Sequence, residues 1–349
     1  MDDAFVSARP NVRIKGESRP DLGDALRALT VTRPLHGMSH AELHLIYWGA
    51  ADDAREPDYR FTDVTLGVAL EVAFGQDPEW IVFSGEITAI EERYGGGAPR
   101  LVLLVQDRLH RLARSRHSRS FEDQSADDLV SAIAQEAGLS GDAGVSSQRH
   151  TWHQLNESDL AFLFRVVSPF GTALRLEGGL LRARPEEPDP EPVVLDVADN
   201  ALSVRLIADL NHQPRETAVK GLAVGDDAEV GGSVKRGSDA GDGDSAAELL
   251  SRLGWDGAEQ VPRPFAPSQG LADAYAQGHF DRRARAFVSG EIRCVGDPRL
   301  SGGRQVELAS VSSRLAGLYR VVHCTHRFDA ADGFRTHLRV ARADWGGGA

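Results

Sequence analysis

Cysteine is almost absent: Cys294 and Cys324 are the only two in 349 residues, too few for a disulfide framework, so a reducing compartment is the default expectation. Lysine is also scarce, confined to Lys15, Lys220 and Lys235, while arginine is abundant. That imbalance reads as base composition of the source and says nothing about function. No run of about 18 apolar residues occurs, and MDDAFVSARPNVRIKGESRP lacks the basic-then-apolar order of a signal peptide. The expectation is a chain made and assembled in the cytoplasm, with no membrane insertion. Positive charge is outweighed, the formal net charge being −13. No summed basic field exists to release counterions from a phosphate backbone, although a local arginine patch remains open. No specific nucleic-acid partner is therefore expected.

Catalytic and cofactor motifs are missing as well. GGSVKRGSD has Gly, Lys and Ser but not the spacing of a phosphate-binding loop, and no G-x-S-x-G, H-E-x-x-H or C-x-x-C occurs. AGDGDS, Ala240 to Ser245, shares only its composition with a calcium loop. In HCTH, strand alternation puts His323 and His326 on opposite faces, whereas Cys324 and His326 share one. Adding Cys294 would give a three-ligand zinc position; two small buried thiols are the simpler reading. EERY, Glu91 to Tyr94, is most simply a solvated strand end. The five tryptophans, Trp48, Trp80, Trp152, Trp255 and Trp345, show no platform spacing for carbohydrate. No catalytic residue, metal or cofactor is assigned.

What is present is a soluble globular composition, 41% hydrophobic and 26% charged, at a length that suggests two or three domains. From Ala41 to Leu104 the texture is β: AELHLIYW, VTLGVALEVAF, WIVFSGEITAIEERY and RLVLLVQD. Residues from Trp80 to Asp107 read as a hairpin turning at YGGGAPR, with Gly85 marking a bulge. SADDLVSAIAQEAGL then gives a helix carrying Leu129, Ile133 and Ala134, with Ser125 as N-cap and Gly138 at its C-terminal end. ALRLEGGLLRARP reads as a hairpin with a Gly-Gly turn, and PEEPDPEP, Pro185 to Pro192, as a stiff exposed connection. Strands resume in VVLDVADNALSVRLIADL and ETAVKGLAV. Residues 225–245 read as a mobile loop, and SQGLADAYAQGHFDRRARAFV as a further helix. The expected units are 1–112 and 196–349, both β, around an α+β insertion at 113–195.

QLNESDLAFLFRVVSPFG, Gln154 to Gly171, crowds polar side chains against an apolar run. Leu160, Leu163, Phe164 and Val167 recur at helical spacing. Asn156 stands where an N-cap would, Glu157 and Asp159 fall in the first turn, and Pro169 and Gly171 end the helix. Capping accounts for every polar residue; a catalytic carboxylate cluster is the alternative.

FSGEITAIEERYGGGAPRLVLLVQD and LAGLYRVVHCTHRFDAADGFRTHLRVAR each show a glycine, an apolar residue two on, a Gly-bearing polar turn and an alternating strand. Such a repeat implies two copies of one β-module.

Taken together, these segments resemble the hubs of contractile phage tails: the late control protein D family, the base of type VI spike proteins and the T4-like baseplate hub. NESDLAFLFRVVSPFG carries Asn156, Ser158, Asp159, Leu160, Leu163 and Gly171 of the resemblance, and FSGEIT carries Phe83, Gly85 and Ile87. VQDRLHRL adds Asp107, and SADDLVSAIAQEAGL adds Leu129. CVGDPRLSGGRQVEL contributes Gly296, Pro298 and Gly303; LAGLYRVVHCTHRFDAADGFRTHLRV contributes Gly317, Tyr319, His326, Gly333 and Thr336. The resemblance spans about Ala41 to Ala343. The chain stops at ADWGGGA where type VI spikes continue into an oligonucleotide-binding-type domain and a needle, so it looks like a separate hub.

The resemblance implies a mainly β fold with two similar tube-like β-barrel domains per chain. Homotrimers would present six such domains to a hexameric inner tube on one side and a separate trimeric spike on the other. Other baseplate components and a tape-measure protein are further partners it implies, within the tail of a virion, tailocin or injection particle. An acidic chain would line the bore with negative charge. The rival reading is a tail-associated cell-wall hydrolase.

Overall fold

The structure, a computed structural model, describes residues 9–50, 56–75, 79–223, 228–238, 241 and 243–346. The chain opens with β1 (Asn11–Ile14), β2 (Glu17–Ser18), α1 (Pro20–Ala25), β3 (Leu26–Pro34) and β4 (His40–Ile46). A ribbon of β5 (Trp48–Gly49) and β6 (Asp58–Tyr59) precedes β7 (Ala69–Phe74), β8 (Trp80–Arg93) and β9 (Arg100–Gln106). Next come α2 (Leu109–Leu112), β10 (Arg116–Gln124), α3 (Ala126–Glu136), β11 (Ser140–Ala143), β12 (His150–Ser158), α4 (Asp159–Val167), β13 (Arg175–Glu177) and β14 (Leu180–Ala183). After β15 (Val193–Asp196) and β16 (Ala201–Ala208) there follow β17 (Glu216–Leu222), β18 (Glu229–Val234), β19 (Asp244–Ser245), α5 (Ala246–Leu253), β20 (Ala258–Ala266) and α6 (Gln269–Ala284). The chain closes with β21 (Val288–Val295), β22 (Gln305–Ala309), β23 (Gly317–Asp329), β24 (Gly333–Arg342) and β25 (Asp344–Trp345).

Period-2 patterning builds one 13-stranded sheet, ordered β16-β21-β24-β23-β3-β4-β9-β8-β7-β1-β2, with β15 and β22 branching from β23. In β9, Leu101, Leu103 and Val105 point to a core that also holds Leu29, Leu43 and Ile87. A second β core gathers Ile292, Val306, Tyr319, Val321 and Leu338. The two sequence-separate β regions, expected as two similar β-barrel domains, are continuous in one sheet, joined where β23 lies antiparallel to β3, from His323 opposite Pro34 to Asp329 opposite Ala28.

The two halves repeat one design. Numbered in chain order, β1, β3, β4, β7, β8 and β9 lie side by side as 1-4-5-6-3-2, and β15, β16, β21, β22, β23 and β24 lie in the same order. Register agrees through the shared ladders, although β7 and β8 carry a bulge between Val72 and Ala73 that β22 and β23 lack. A bulge separates Ile87 from Ala89 in β8 against β9, and another separates Val321 from His323 in β23 against β24. A second matching pair lies between Leu26 and Ala28 in β3 and between Ala201 and Ser203 in β16. Even the flanking turns match: Ile87 N donates to Val68 O and Gly67 N to Ile87 O, while Val321 N donates to Arg304 O and Gly303 N to Val321 O. Both Gly67 and Gly303 have positive φ. The halves differ in one pairing, β1 antiparallel to β7 but β15 parallel to β22. Since a bulge adds a residue and sharpens twist, two coincident bulge positions are strong marks of duplication. The repeat expected from sequence is therefore present, but with Gly317 opposite Phe83 in the alignment and Tyr319 opposite Gly85, two residues out of the register that pairs the glycines.

The α+β segment has its own core, from Leu129, Ile133, Phe162, Leu163 and Val166 to Leu181. Ser125 caps α3 as expected, its Oγ accepting from Asp128 N while Asp128 accepts from Ser125 N. Ser125→Ala is expected to cost about 1 kcal/mol of this unit's stability, read as a lower denaturant midpoint. The Gly178-Gly179 turn joins β13 to β14 with both φ positive.

Several expectations are corrected. Ser158, not Asn156, caps α4, its Oγ accepting from Ala161 N at 3.2 Å. Asn156 instead sits at φ 51° near the end of β12, a conformation short polar side chains tolerate. Glu157 lies outside the helix and pairs with Arg165. Phe162 and Val166 join the buried stripe, whereas Phe164 is half-buried against His36. Gly85 marks close packing rather than a bulge, because a Cβ there would lie 2.4 Å from Gln106 O. PEEPDPEP is tied down: Glu186 pairs with the buried Arg175, and Asp189 N donates to Gln305 at 2.6 Å. Within 225–245, β18 is a paired strand of a three-stranded sheet, β18-β17-β20, while 225–227, 239, 240 and 242 lie outside the described residues. This sheet packs on α6 through Val219, Ala266, Leu271 and Tyr275, a unit of which sequence patterning revealed β17 and α6 but not β18 or β20.

Candidate functional site

The residues singled out by sequence are mostly structural supports. Phe83, Ile87, Leu129, Leu160 and Leu163 are buried. Gly296 leaves room for the Phe334 ring, which a Cβ would meet at 2.2 Å, and Phe334 stacks on Phe74 at 3.7 Å. Pro298 is buried in the same loop. Gly171, Gly303, Gly317 and Gly333 all have positive φ, and Tyr319 donates its hydroxyl to Leu315 O at 2.8 Å. Gly171 terminates the turn after α4 and lies against Gly278 of α6.

Polar residues converge at two buried points. Leu300 O accepts from His326 Nε2 at 3.0 Å, so Nδ1 is the acceptor for the Thr336 hydroxyl, also at 3.0 Å. Thr336 Oγ1 accepts in turn from Asp297 N. Cys324 lies 3.5 Å from Nε2 and Cys294 donates to Thr336 O. Burial, with Arg33 adding repulsion, pushes His326 down to about 3; burial pushes Cys324 up to about 12 and Cys294 higher still. Both imidazole nitrogens are engaged and both thiols are held protonated, which is an inert arrangement. Among the described residues no group of three His, Cys, Asp or Glu side chains could hold a metal ion. The other point is Asp107, buried where β9 gives way to α2. It accepts from Ser39 N at 2.6 Å and Leu109 N at 3.0 Å, and burial raises it to about 6.

The carboxylates near α4 do not form a cleft. Asp159 accepts from Arg119 Nη2 and Gln154 Nε2 at 3.0 and 2.9 Å, and Glu157 is paired with Arg165. Glu86 is held below the usual carboxylate range, burial opposing but Arg111 and His110 prevailing. These are pairs that hold elements together.

The feature with no internal use is a pair of strand edges. β16 pairs with β21 on one side only, and among the described residues no strand covers its other side. β8 pairs with β7 as far as Glu86, and Ile87 bonds to the Gly67–Val68 turn; beyond Ile87 that edge is open while the other continues along β9 to Arg93. Ile207 in β16 and Tyr94 just after β8 are each 57% exposed. Open edges of this kind are templates for another strand. In the repeat, β8 corresponds to β23 and β16 to β3, and it is β23 and β3 that pair within the chain. The two open edges are thus the counterparts of the two joined ones, a relation visible only once register is known.

Among solved structures, a 43 kDa tail protein of prophage MuSo2 from Shewanella oneidensis is similar over 97% of this chain and 99% of its own, at TM-score 0.73 and 14% identity. A tail protein from Neisseria meningitidis MC58 is similar over 96% and 97%, at TM-score 0.70 and 14% identity. The E. coli c3393 protein, described as a type VI secretion component structurally similar to T4 tail proteins gp27 and gp5, is similar over 95% and 76%, at TM-score 0.59 and 12% identity. At these identities the likeness establishes the fold, which is the tail-protein fold anticipated from the sequence. No curated protein matches the sequence. The model for the Alg8 N-terminal domain, Alg8_N, matches residues 11–329, and the chain belongs to that family.

Proposed function

We propose that the chain is a structural hub: three copies close into a ring that adapts a sixfold tube to a threefold spike, with 1–112 and 193–349, which begins with β15, as its two repeated units and the intervening α+β segment as an insertion. The carrying observation is the duplicated strand order with one joined and one open pair of equivalent edges. Repeating the β23–β3 junction between chains brings β8 of one copy against β16 of the next. Such a contact is head-to-tail, and it closes a ring if the rotation permits. Three chains then offer six similar modules. The fold shared with tail proteins supports this reading.

The register can be written down. Glu91 occupies the position of Thr325, and Ile207 that of Thr32, which pair with each other in the intrachain junction. Both Glu91 and Ile207 are exposed, so Glu91→Cys with Ile207→Cys leaves the core intact. On oxidation the double variant is expected to give covalent dimers and trimers and nothing larger, and the untreated protein the mass of three chains. Monomers without cross-links, or a ladder running past three, would overturn the ring. Turnover of peptidoglycan by the purified protein would favour a hydrolase instead.

A further inference from the structure

On the face of the large sheet turned away from its cores, Arg205 of β16, Arg293 of β21, Arg335 and Arg339 of β24 and Arg327 of β23 share four adjacent strands. Cross-strand register sets Arg205 beside Glu291 and Glu291 beside Arg339, Arg293 beside His337, and Arg335 beside Arg327. Four of the five are exposed, Arg335 being intermediate. None of the five makes an ion pair with a described carboxylate, although elsewhere arginines pair repeatedly, as at Arg19, Arg119 and Arg175. Glu291, and Asp329 at the strand end, are the carboxylates on this part of the face. The uncompensated field is felt by its histidines: burial and then Arg339 push His323 down, and burial and then Arg327 and Arg293 push His337 down. In the other module Arg93 and Arg100 stand at the positions of Arg327 and Arg335, but Thr30, His44 and Leu104 replace Arg205, Arg293 and Arg339, and Glu91 pairs with Arg93, so the field is concentrated in one half of the sheet.

We propose that this face binds the phosphate backbone of double-helical nucleic acid without reading its sequence. Adjacent strands lie roughly 4.8 Å apart, so the array is about 15 Å wide, a two-dimensional spread suited to phosphates lining a groove rather than to a single extended acidic peptide. No Phe, Tyr or Trp lies on these strands' outer face to stack an unpaired base, which disfavours single strands. The inference goes beyond the hub reading and does not depend on trimer formation. Because the acidic remainder opposes approach, binding belongs in the weak, salt-sensitive range of about 10⁻⁴–10⁻⁶ M.

The test is fluorescence anisotropy of the full chain with a labelled duplex of random sequence, across a salt series. Five neutralised phosphates give a log–log salt slope of about −4.5, and the exposed triple variant Arg293→Gln, Arg327→Gln, Arg339→Gln is expected to bring it to about −2 with at least tenfold weaker binding at low salt. No duplex binding, an unchanged slope in the triple variant, or tighter binding of poly-glutamate or single-stranded DNA would each overturn the proposal. The mass of the same preparations, measured in parallel, keeps loss of the ring separate from loss of this face.

Discussion

Gly278→Ala is expected to destabilise the protein by about 2 kcal/mol, against the sign that helix propensity gives. In a helix interior alanine is favoured over glycine by roughly 0.5–1 kcal/mol, and Gly278 lies inside α6. Its Cβ position, however, is 2.2 Å from Phe170 C, 2.5 Å from Pro169 O and 2.6 Å from Gly171 N. These are backbone atoms and cannot swing aside, so overpacking falls at the upper end of its usual range, about 3 kcal/mol. Gly171 is equally constrained, with φ 67° and Gly278 O 2.5 Å from its own Cβ position. Equilibrium unfolding gives the sign, and hydrogen exchange gives the place, since faster exchange is expected in α6. A stabilised variant would mean that the two glycines do not touch in solution.

Acidification from pH 7 to pH 5 is expected to remove about 2 kcal/mol of stability through His326 alone. The folded protein holds this imidazole neutral down to about pH 3, while the unfolded chain takes up a proton near pH 6.5. Below that value the unfolded state binds more protons than the native state, so stability is complete above about pH 6.5 and falls as pH drops toward the folded value. In His326→Gln the loss between pH 7 and pH 5 should shrink by that amount, other acid-sensitive groups remaining. Should the variant fail to fold, the His326 imidazole resonance of the native protein provides the check, with no titration expected above pH 4.

Much of this fold was readable because it obeys short periods. The β8–β9 hairpin declares itself by alternation around Gly95–Gly97, and α3 by Ser125 three residues ahead of Asp128. Beside the expected β17, β18 and β20 did not, because EVGGSV and AEQVPRPFA place glycine or proline where an alternating apolar residue would stand; packing against α6, not propensity, makes them strands. The repeat was visible but misaligned, since bulges at Thr88 and Val322 have no sequence signature. Nor could sequence show that Glu186 meets Arg175, or that five arginines scattered between 205 and 339 share one face. Convergence of this kind arises only from strand order.

The junction between β3 and β23 also dictates a timetable for biosynthesis. A strand translated near the outset has its edge partner translated near the finish, so one side of the N-terminal module must wait, solvated and available, while the intervening units emerge and mature. Until then the nascent protein exposes a further open edge on the large sheet, and a neighbouring nascent copy could occupy it. Completion of the large sheet is therefore a late event in each molecule's life, and high local concentration on polysomes is the condition under which exchanged strands would arise.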